Sequence, residues 1–467
     1  MSNAIATPDE PPSSSSFDVD NSPADERPAS RWSWYYSPAV QTIVIGAGME
    51  NALSGLGAGG LASAKFWSAA NAVSFTLLCV TCVFAPIVIN QFNLRWSLVI
   101  ASCTPTLYAA SLYTNSKNGN EWLLMLASVI DGIGSGVYYC TEGSIVVGYP
   151  EESRRGRMIA TWVFFRQLGS VIGGSILLSL SKDKDSTGAV GLNVYIVFIV
   201  LCACAPFVAL LLASPEKVRR NDGTKVVIRK TNPKSEIKSL FRQLRSRKVL
   251  LLFPLFFTSW FADSFVSSYV TNYLTVRSRA LSSLLTPVGG NIGASLVGFF
   301  LDSRIANRRT KALVTFGVLF ALNLAMWAYS AANIAHYNSF EEAPAFDWTS
   351  DGFGRAYLVP FFWTLCELAV QSWAYFLLGT ITEDMTELTH LTGILRGIEA
   401  AGQAVAYGLS SSSASQFVTI GLGFGLVAIS YPLAYFVVRA IKEKKAPVPT
   451  VAAADDSDSV SKKDFTA

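Results

Sequence analysis

The sequence predicts an all-α, polytopic membrane protein with twelve transmembrane helices in two six-helix halves. Three observations lead there. Of the 467 residues, 51% are hydrophobic and only 15% are Asp, Glu, Lys or Arg, against about 25% charged residues in an average soluble domain. The apolar residues fall in runs of about 20, the length a helix needs to cross a ~30 Å hydrocarbon core. The Lys and Arg residues gather on alternate sides of those runs. This composition excludes a soluble enzyme, a secreted disulfide module and a nucleic-acid-binding domain. The formal net charge of +4 reads as topology, not as affinity for DNA or RNA.

In chain order, residues 1–31 carry a serine run (Ser13–Ser16), several prolines and acids from Asp9 to Glu26, the composition of a disordered cytosolic tail. The N-terminal half, 32–213, holds spans at 38–59, 67–89, 94–113, 122–147, 158–180 and 192–213. A basic cytosolic linker, 214–248, follows. The C-terminal half, 249–440, holds spans at 249–272, 281–301, 311–334, 355–379, 391–411 and 417–438. Residues 441–467, with Asp455, Asp456 and Asp458, form a second disordered cytosolic tail. The third and eleventh spans are the least apolar; a helix bearing Arg396 and Glu399 has to face a polar interior.

The basic residues test this arrangement. With both termini cytosolic, inner segments hold 28 of the 37 Lys and Arg residues and outer segments hold 7. The linker alone carries 12. The seven outer residues are Lys65, Lys117, Lys182, Lys184, Arg277, Arg279 and Arg355, and an odd number of spans destroys the bias. Trp32, Trp34, Tyr35, Tyr36, Trp96 and Trp122 lie near span starts, where aromatic side chains favour the membrane interface.

Six spans, a long basic loop and six more spans is the layout of the major facilitator superfamily (MFS). The run Gly48-Met49-Glu50-Asn51-Ala52-Leu53-Ser54-Gly55-Leu56-Gly57-Ala58-Gly59-Gly60 resembles the first-helix signature of the Unc-93-like family, with Ala47 and Glu50 where the family has proline and phenylalanine. Gly298-Phe299-Phe300-Leu301-Asp302, followed by Arg308-Arg309, resembles the inner-loop motif between helices eight and nine; the first-half equivalent, Asn90 to Arg95, is degraded. The resemblance spans about 32–440 and is closest to fungal members. It implies an MFS fold, with spans one, four, seven and ten lining a central cavity, and an inner-face gate at Gly298, Asp302, Arg308 and Arg309. Some animal relatives are described as channel regulators or trafficking partners, so the resemblance constrains fold more than activity.

Charges inside the spans are the candidates for substrate binding or proton coupling. They are Glu50 (span one), Asp131 and Glu142 (four), Arg166 (five), Asp263 (seven), Glu367 (ten), and Arg396 with Glu399 (eleven). Each costs at least ~2.5–3.5 kcal/mol in a span unless partnered or wet. If the halves are repeats, spans one and seven share an acid, four and ten share an acid, and five and eleven share an arginine. Asp131 and Glu142, three turns apart, are expected on one face about 16 Å from each other. Arg396 and Glu399 can pair along their helix. The alternative for each is an arginine–carboxylate tie that only holds the bundle together.

Other features read as packing. The glycines of spans one, four and five allow close helix approach. Trp260, Tyr269, Trp363, Trp373 and Tyr375 are core aromatics unless one lines a cavity. His336 and His390 lie at opposite rims, and Cys79 and Cys82 form a CxxC with no second pair; neither set forms a metal site. Lacking a nucleotide loop or a clustered catalytic set, the chain is expected not to be an enzyme and to need no cofactor. The expected function is secondary transport of a small solute by alternating access, with protons as a candidate coupling ion carried by Asp131, Glu367, Glu50 or Asp263 and an anionic group held by the arginines. The alternative is a non-transporting regulator or escort of a channel or receptor on the same scaffold. Expected partners are the lipid bilayer, the solute and, for a regulator, another protein; nucleic acid is not among them.

Overall fold

A computed structural model describes residues 33–46, 64–151, 154–181, 191–220, 233–382, 384–412 and 414–441. Fifteen α-helices appear among them: α1 (Pro38–Gly46), α2 (Ala64–Phe92), α3 (Leu94–Ala101), α4 (Thr104–Asn118), α5 (Glu121–Gly148), α6 (Arg155–Ser181), α7 (Leu192–Ala209), α8 (Pro233–Leu244), α9 (Arg247–Thr258), α10 (Ala262–Tyr273), α11 (Val276–Asp302), α12 (Arg308–Tyr337), α13 (Phe353–Ile381), α14 (Met385–Ser411) and α15 (Gln416–Arg439). The described residues contain no β-strand, only the isolated bridge Leu274–Phe346.

Nine segments among the described residues are long and apolar enough to cross a membrane, with α9 and α10 counted as one. The three expected spans outside that set have separate explanations. The first begins as α1, and its remainder, with Glu50 and the Gly48–Gly60 signature, lies outside the described residues. The third is split into α3 and α4 at Ser102–Cys103, with Pro105 in the first turn of α4, a position where its missing N–H is harmless. The eleventh is α14, whose Glu387, Arg396 and Glu399 make it too polar for lipid on all sides.

Side-chain distribution is that of a membrane protein. Phe207, Leu296, Phe299, Val318 and Phe436 are each at least 60% exposed, on α7, α11, α12 and α15, an apolar surface too extensive for water. The interior instead buries Glu142, Arg166, Glu367, Arg396 and Glu399. Helix ends are set by local chemistry. The Ser246 hydroxyl accepts from Val249 N, and Asp384 accepts from Thr386 N and Glu387 N, satisfying amides left over at helix starts. Gly119 closes α4 at φ 71°, a left-handed position that suits glycine.

The N-terminal part (α1–α7) meets the C-terminal part (α9–α15) along two main seams, α6 with α11 and α2 with α14. Glycine makes both close. A Cβ on Gly156 would fall 2.6 Å from Gly298 O, and one on Gly393 would fall 2.6 Å from Cys82 O, so backbones approach where any side chain would hold them apart.

Candidate functional site

Between the two parts lies a cavity of ≈ 320 Å³. Its lining residues come from the starts of α2, α4 and α11, the first half of α13, α10 with the turn before it, the second half of α14, and the middle of α5 and α6. Three acids and three arginines face it: Asp131, Asp263 and Glu367, and Arg166, Arg279 and Arg396.

Helix spacing accounts for their convergence. On α5, Asp131, Ser135 and Tyr139 recur at four-residue intervals and present one stripe to the cavity. Ser74 Oγ on α2 donates to Asp131 Oδ2 at 3.4 Å. On α14, Arg396, Gln403 and Tyr407 form the opposing stripe at sevens and fours. Gln403 Nε2 and the Tyr407 hydroxyl donate to Asp263 Oδ2 at 3.2 and 3.0 Å. The Tyr407 ring stacks on Phe75 of α2, with centroids 5.4 Å apart, carrying the aromatic lining across the two parts.

The arginines are held differently. Arg396 Nη1 pairs with Glu399 Oε2 at 2.7 Å, and Glu399 Oε1 accepts from Ser259 Oγ at 3.1 Å. Arg166 Nη1 donates to Gln371 Oε1 at 3.2 Å and makes no ion pair among the described residues. Both guanidiniums lie over Tyr139, Arg396 at 4.2 Å and Arg166 at 5.7 Å from its centroid; such cation–π contact is favourable when desolvated. Arg166 Nε, Arg396 Nε, Glu367 Oε1 and the indole nitrogens of Trp67 and Trp260 are buried with no hydrogen-bond partner.

Five predicted residues, Asp131, Arg166, Asp263, Glu367 and Arg396, therefore share one cavity, while Glu399 stands behind Arg396 as its counter-ion. Glu142 does not join them. Trp162 of α6 covers it and donates Nε1–H to Glu142 Oε1 at 2.7 Å, so the face shared with Asp131 is open to the cavity at one end only. Several lining residues escaped the sequence reading, Arg279 and Tyr139 among them. Arg279, counted with the outer-loop charges, is 3% exposed in α11. Helix α11 begins at Val276, capped by Thr275, five residues before the predicted span. Tyr139 was one aromatic among many; only its four-residue offset from Ser135 and eight from Asp131 marked it. His390 is buried at a separate pocket with Glu236, and His336 is exposed near the end of α12.

The other end of the α6–α11 seam is closed. Asp302, the last residue of α11, accepts from Gly156 N at 3.0 Å and Arg157 N at 2.7 Å, with Arg157 Nε 3.5 Å away. A carboxylate there satisfies orphan amides at the α6 N-terminus and complements its dipole. Beside it, Arg155 donates from Nε to Val147 O at 3.1 Å and from Nη1 to Gly379 O at 2.8 Å, linking α5 to α13. Arg308 reaches the same Gly379 carbonyl at 3.4 Å and lies over Phe376. Gly298, Asp302 and Arg308 thus meet in one region, and Arg309 lies exposed on the first turn of α12.

Comparison with known proteins identifies both the family and the fold. The sequence profile described as ion channel regulatory protein UNC-93 matches residues 64–346. The chain belongs to the UNC-93 family. It is 38% identical over 416 residues to the Aspergillus versicolor protein named notoamide biosynthesis cluster protein O′, covering 87% of this chain and 90% of that one. An UNC93-like protein of Schizosaccharomyces pombe is 30% identical over 428 residues, covering 84% of each. Among solved structures, the MFS proton:xylose symporter XylE aligns with a TM-score of 0.58 at 15% identity, over 88% of this chain and 96% of that one. At that identity the likeness establishes an MFS fold for this UNC-93 member and nothing about its solute.

Proposed function

We propose that this UNC-93 protein is a secondary transporter that moves a small solute by alternating access. The observation that carries this reading is the cavity between the two parts, whose wall buries Arg166, Arg396 and Glu367 with polar atoms the protein leaves unpartnered. Each such atom costs about 1–3 kcal/mol, a cost that a bound solute can offset. The closed seam supplies the second requirement. Its Asp302 contacts join the two parts through a few polar bonds, which can exchange with water when the end opens. Opening there while the cavity end closes presents one site to each side in turn. With both termini cytosolic, as the basic residues favour, the closed end faces the cytosol. We assign proton coupling to Asp131, Asp263 and Glu367, the acids in the cavity wall, and a gating role to Gly298, Asp302 and Arg308.

The test is transport by the full chain in proteoliposomes against a solute library. A proton gradient is expected to drive uptake, and Glu367→Gln to lose gradient-driven uptake while keeping solute exchange without a gradient. If no solute moves and none alters melting, the reading is wrong. A regulator of a channel, the description attached to the family profile, then takes its place, acting through its lipid-facing helices.

A further inference from the structure

The transporter reading leaves the solute's chemistry open, and the cavity wall narrows it. Resting on that reading, we infer that the solute is a small organic monocarboxylate with an aromatic or comparably flat apolar body, its carboxylate held between Arg166 and Arg396.

The argument begins with charge. Arg166 and Arg396 come from different parts of the molecule, are 6% and 7% exposed, and lie over one ring, that of Tyr139. Arginine does not shed its proton at any physiological pH, so both charges persist. Glu399 meets the charge of Arg396 at 2.7 Å. No carboxylate pairs with Arg166: its nearest polar partner is the neutral Gln371 oxygen, and Glu142 Oε1 is bonded to Trp162 instead. One buried positive charge is thus left without a contact counter-ion, an arrangement that is unfavourable until an anion arrives.

Geometry sets the anion's shape. Each guanidinium has an Nε–H with no acceptor. A carboxylate offers two oxygens in a plane and takes N–H donors from arginine with good directionality. A dianion fits worse. Its second charge would sit near the carboxyl groups of Glu399 and Glu367. The rest of the wall favours an apolar body: Trp67, Phe75, Tyr108, Trp260 and Tyr407 face the same space. At ≈ 320 Å³ the cavity lies at the small end of the ~300–1,000 Å³ range of ligand sites.

The position also suits a carrier. Arg166 rides on α6 and Arg396 on α14, one helix from each of the two seams. A carboxylate bridging them binds best at one separation of the two parts, so occupancy biases the conformational equilibrium.

The experiment uses the full chain in lipid nanodiscs. The probes are phenylacetate and 3-phenylpropionate, their amides, and 2-phenylethylamine. The carboxylates are expected to raise the melting temperature with concentration, and the amides to bind at least about tenfold more weakly, the loss expected with a charge-assisted contact. Arg166→Gln should remove the carboxylate preference. Arg166→Lys, which keeps the charge and loses the planar fork, should retain part of it. Carboxylates should also protect Arg166 from phenylglyoxal, read by mass spectrometry in the unmutated protein, which guards against a variant that fails to fold. Amides or the amine binding as well as the carboxylates, no carboxylate-dependent shift or protection, or an unaltered preference in Arg166→Gln would each overturn the inference. Carboxylate binding with no flux in proteoliposomes would leave the carboxylate site standing and remove the transporter reading. Flux of uncharged or cationic solutes with no anion preference would do the reverse.

Discussion

The two ends of this bundle treat polar groups in opposite ways. At the closed end, Asp302 accepts two backbone N–H groups and an arginine, and Arg155 donates to carbonyls on both sides of the seam. In the cavity, Arg166, Arg396 and Glu367 are as deeply buried, yet each keeps an atom without a partner. Burial is therefore not what separates the two sets. The difference between them is saturation: Asp302 and Arg155 have their partners across the seam, and the three cavity groups each keep one atom open.

The largest expected effect tests that distinction within the cavity itself. Arg396 has an ion-pair partner in Glu399, and Arg166 has no carboxylate in contact. Glu399→Gln strands a buried guanidinium, so a loss of about 3–5 kcal/mol is expected, with partial recovery in the Arg396→Gln/Glu399→Gln double variant. Arg166→Gln removes a charge that already lacks an ion-pair partner, so stability should change by less than about 1 kcal/mol while transport is lost. Monodispersity and melting of the four proteins, beside uptake, measure both. Equal destabilisation by Glu399→Gln and Arg166→Gln would erase the contrast between ion-paired and unpaired charge.

A smaller effect is expected at the closed end. Asp302→Asn keeps the shape and loses the charge that strengthens its bonds to the Gly156 and Arg157 amides. About 1.5–3 kcal/mol of closed-state stabilisation is at stake, enough to move the ratio of closed to open forms by tenfold or more. Spin labels at Arg154 and Ile305, exposed on either side of the seam, should show a longer-distance population in Asp302→Asn. Identical distance distributions would mean that the seam is held by its glycine packing alone.

Much of this was legible in the sequence, and the gaps have physical causes. Span order was readable because a lipid-facing helix cannot hide polar residues, so each apolar run announces itself. Breaks inside a span were not: Ser259–Phe261 separates α9 from α10, and no glycine or proline stands at that point to mark it. The ionisable residues in spans were legible because lipid excludes them, but their pairing was not. Asp131 and Glu142 share a helix and a charge, and only the position of Trp162 on a neighbouring helix decides which one meets the cavity. Arg279 shows the converse error. Near the end of an apolar run, an arginine reads as an interfacial anchor, and a helix that starts one turn early turns it into cavity wall.

The smallest expected effect concerns the rim of the cavity end, where a filled acid should behave like those at the closed end. Asp347, in the loop after α12, receives Arg277 through both oxygens at 2.6 Å and also accepts from Thr275 Oγ1 and Thr349 N. Arg277 above all, helped by the Thr349 and Thr275 hydrogen bonds, holds the Asp347 carboxyl well below the usual carboxylate range. The same loop is stitched to the α10–α11 turn by Phe346 N to Tyr273 O and Thr275 N to Phe346 O, at 2.7 and 3.1 Å. Because the native value is depressed, the stabilisation is complete above the unfolded value of about 4 and fades as pH falls through the native one. Asp347→Asn should therefore lose about 1 kcal/mol, a modest amount because Arg277 is partly open to water. The difference from the parent protein should be constant from about pH 7 to 5 and shrink below about pH 4. Hydrogen exchange should accelerate at Thr275 and Phe346 and stay unchanged at Gly156, on the closed seam. Faster exchange at Gly156 as well would mean that the two ends are not independent, and that the rim pair belongs to the gate.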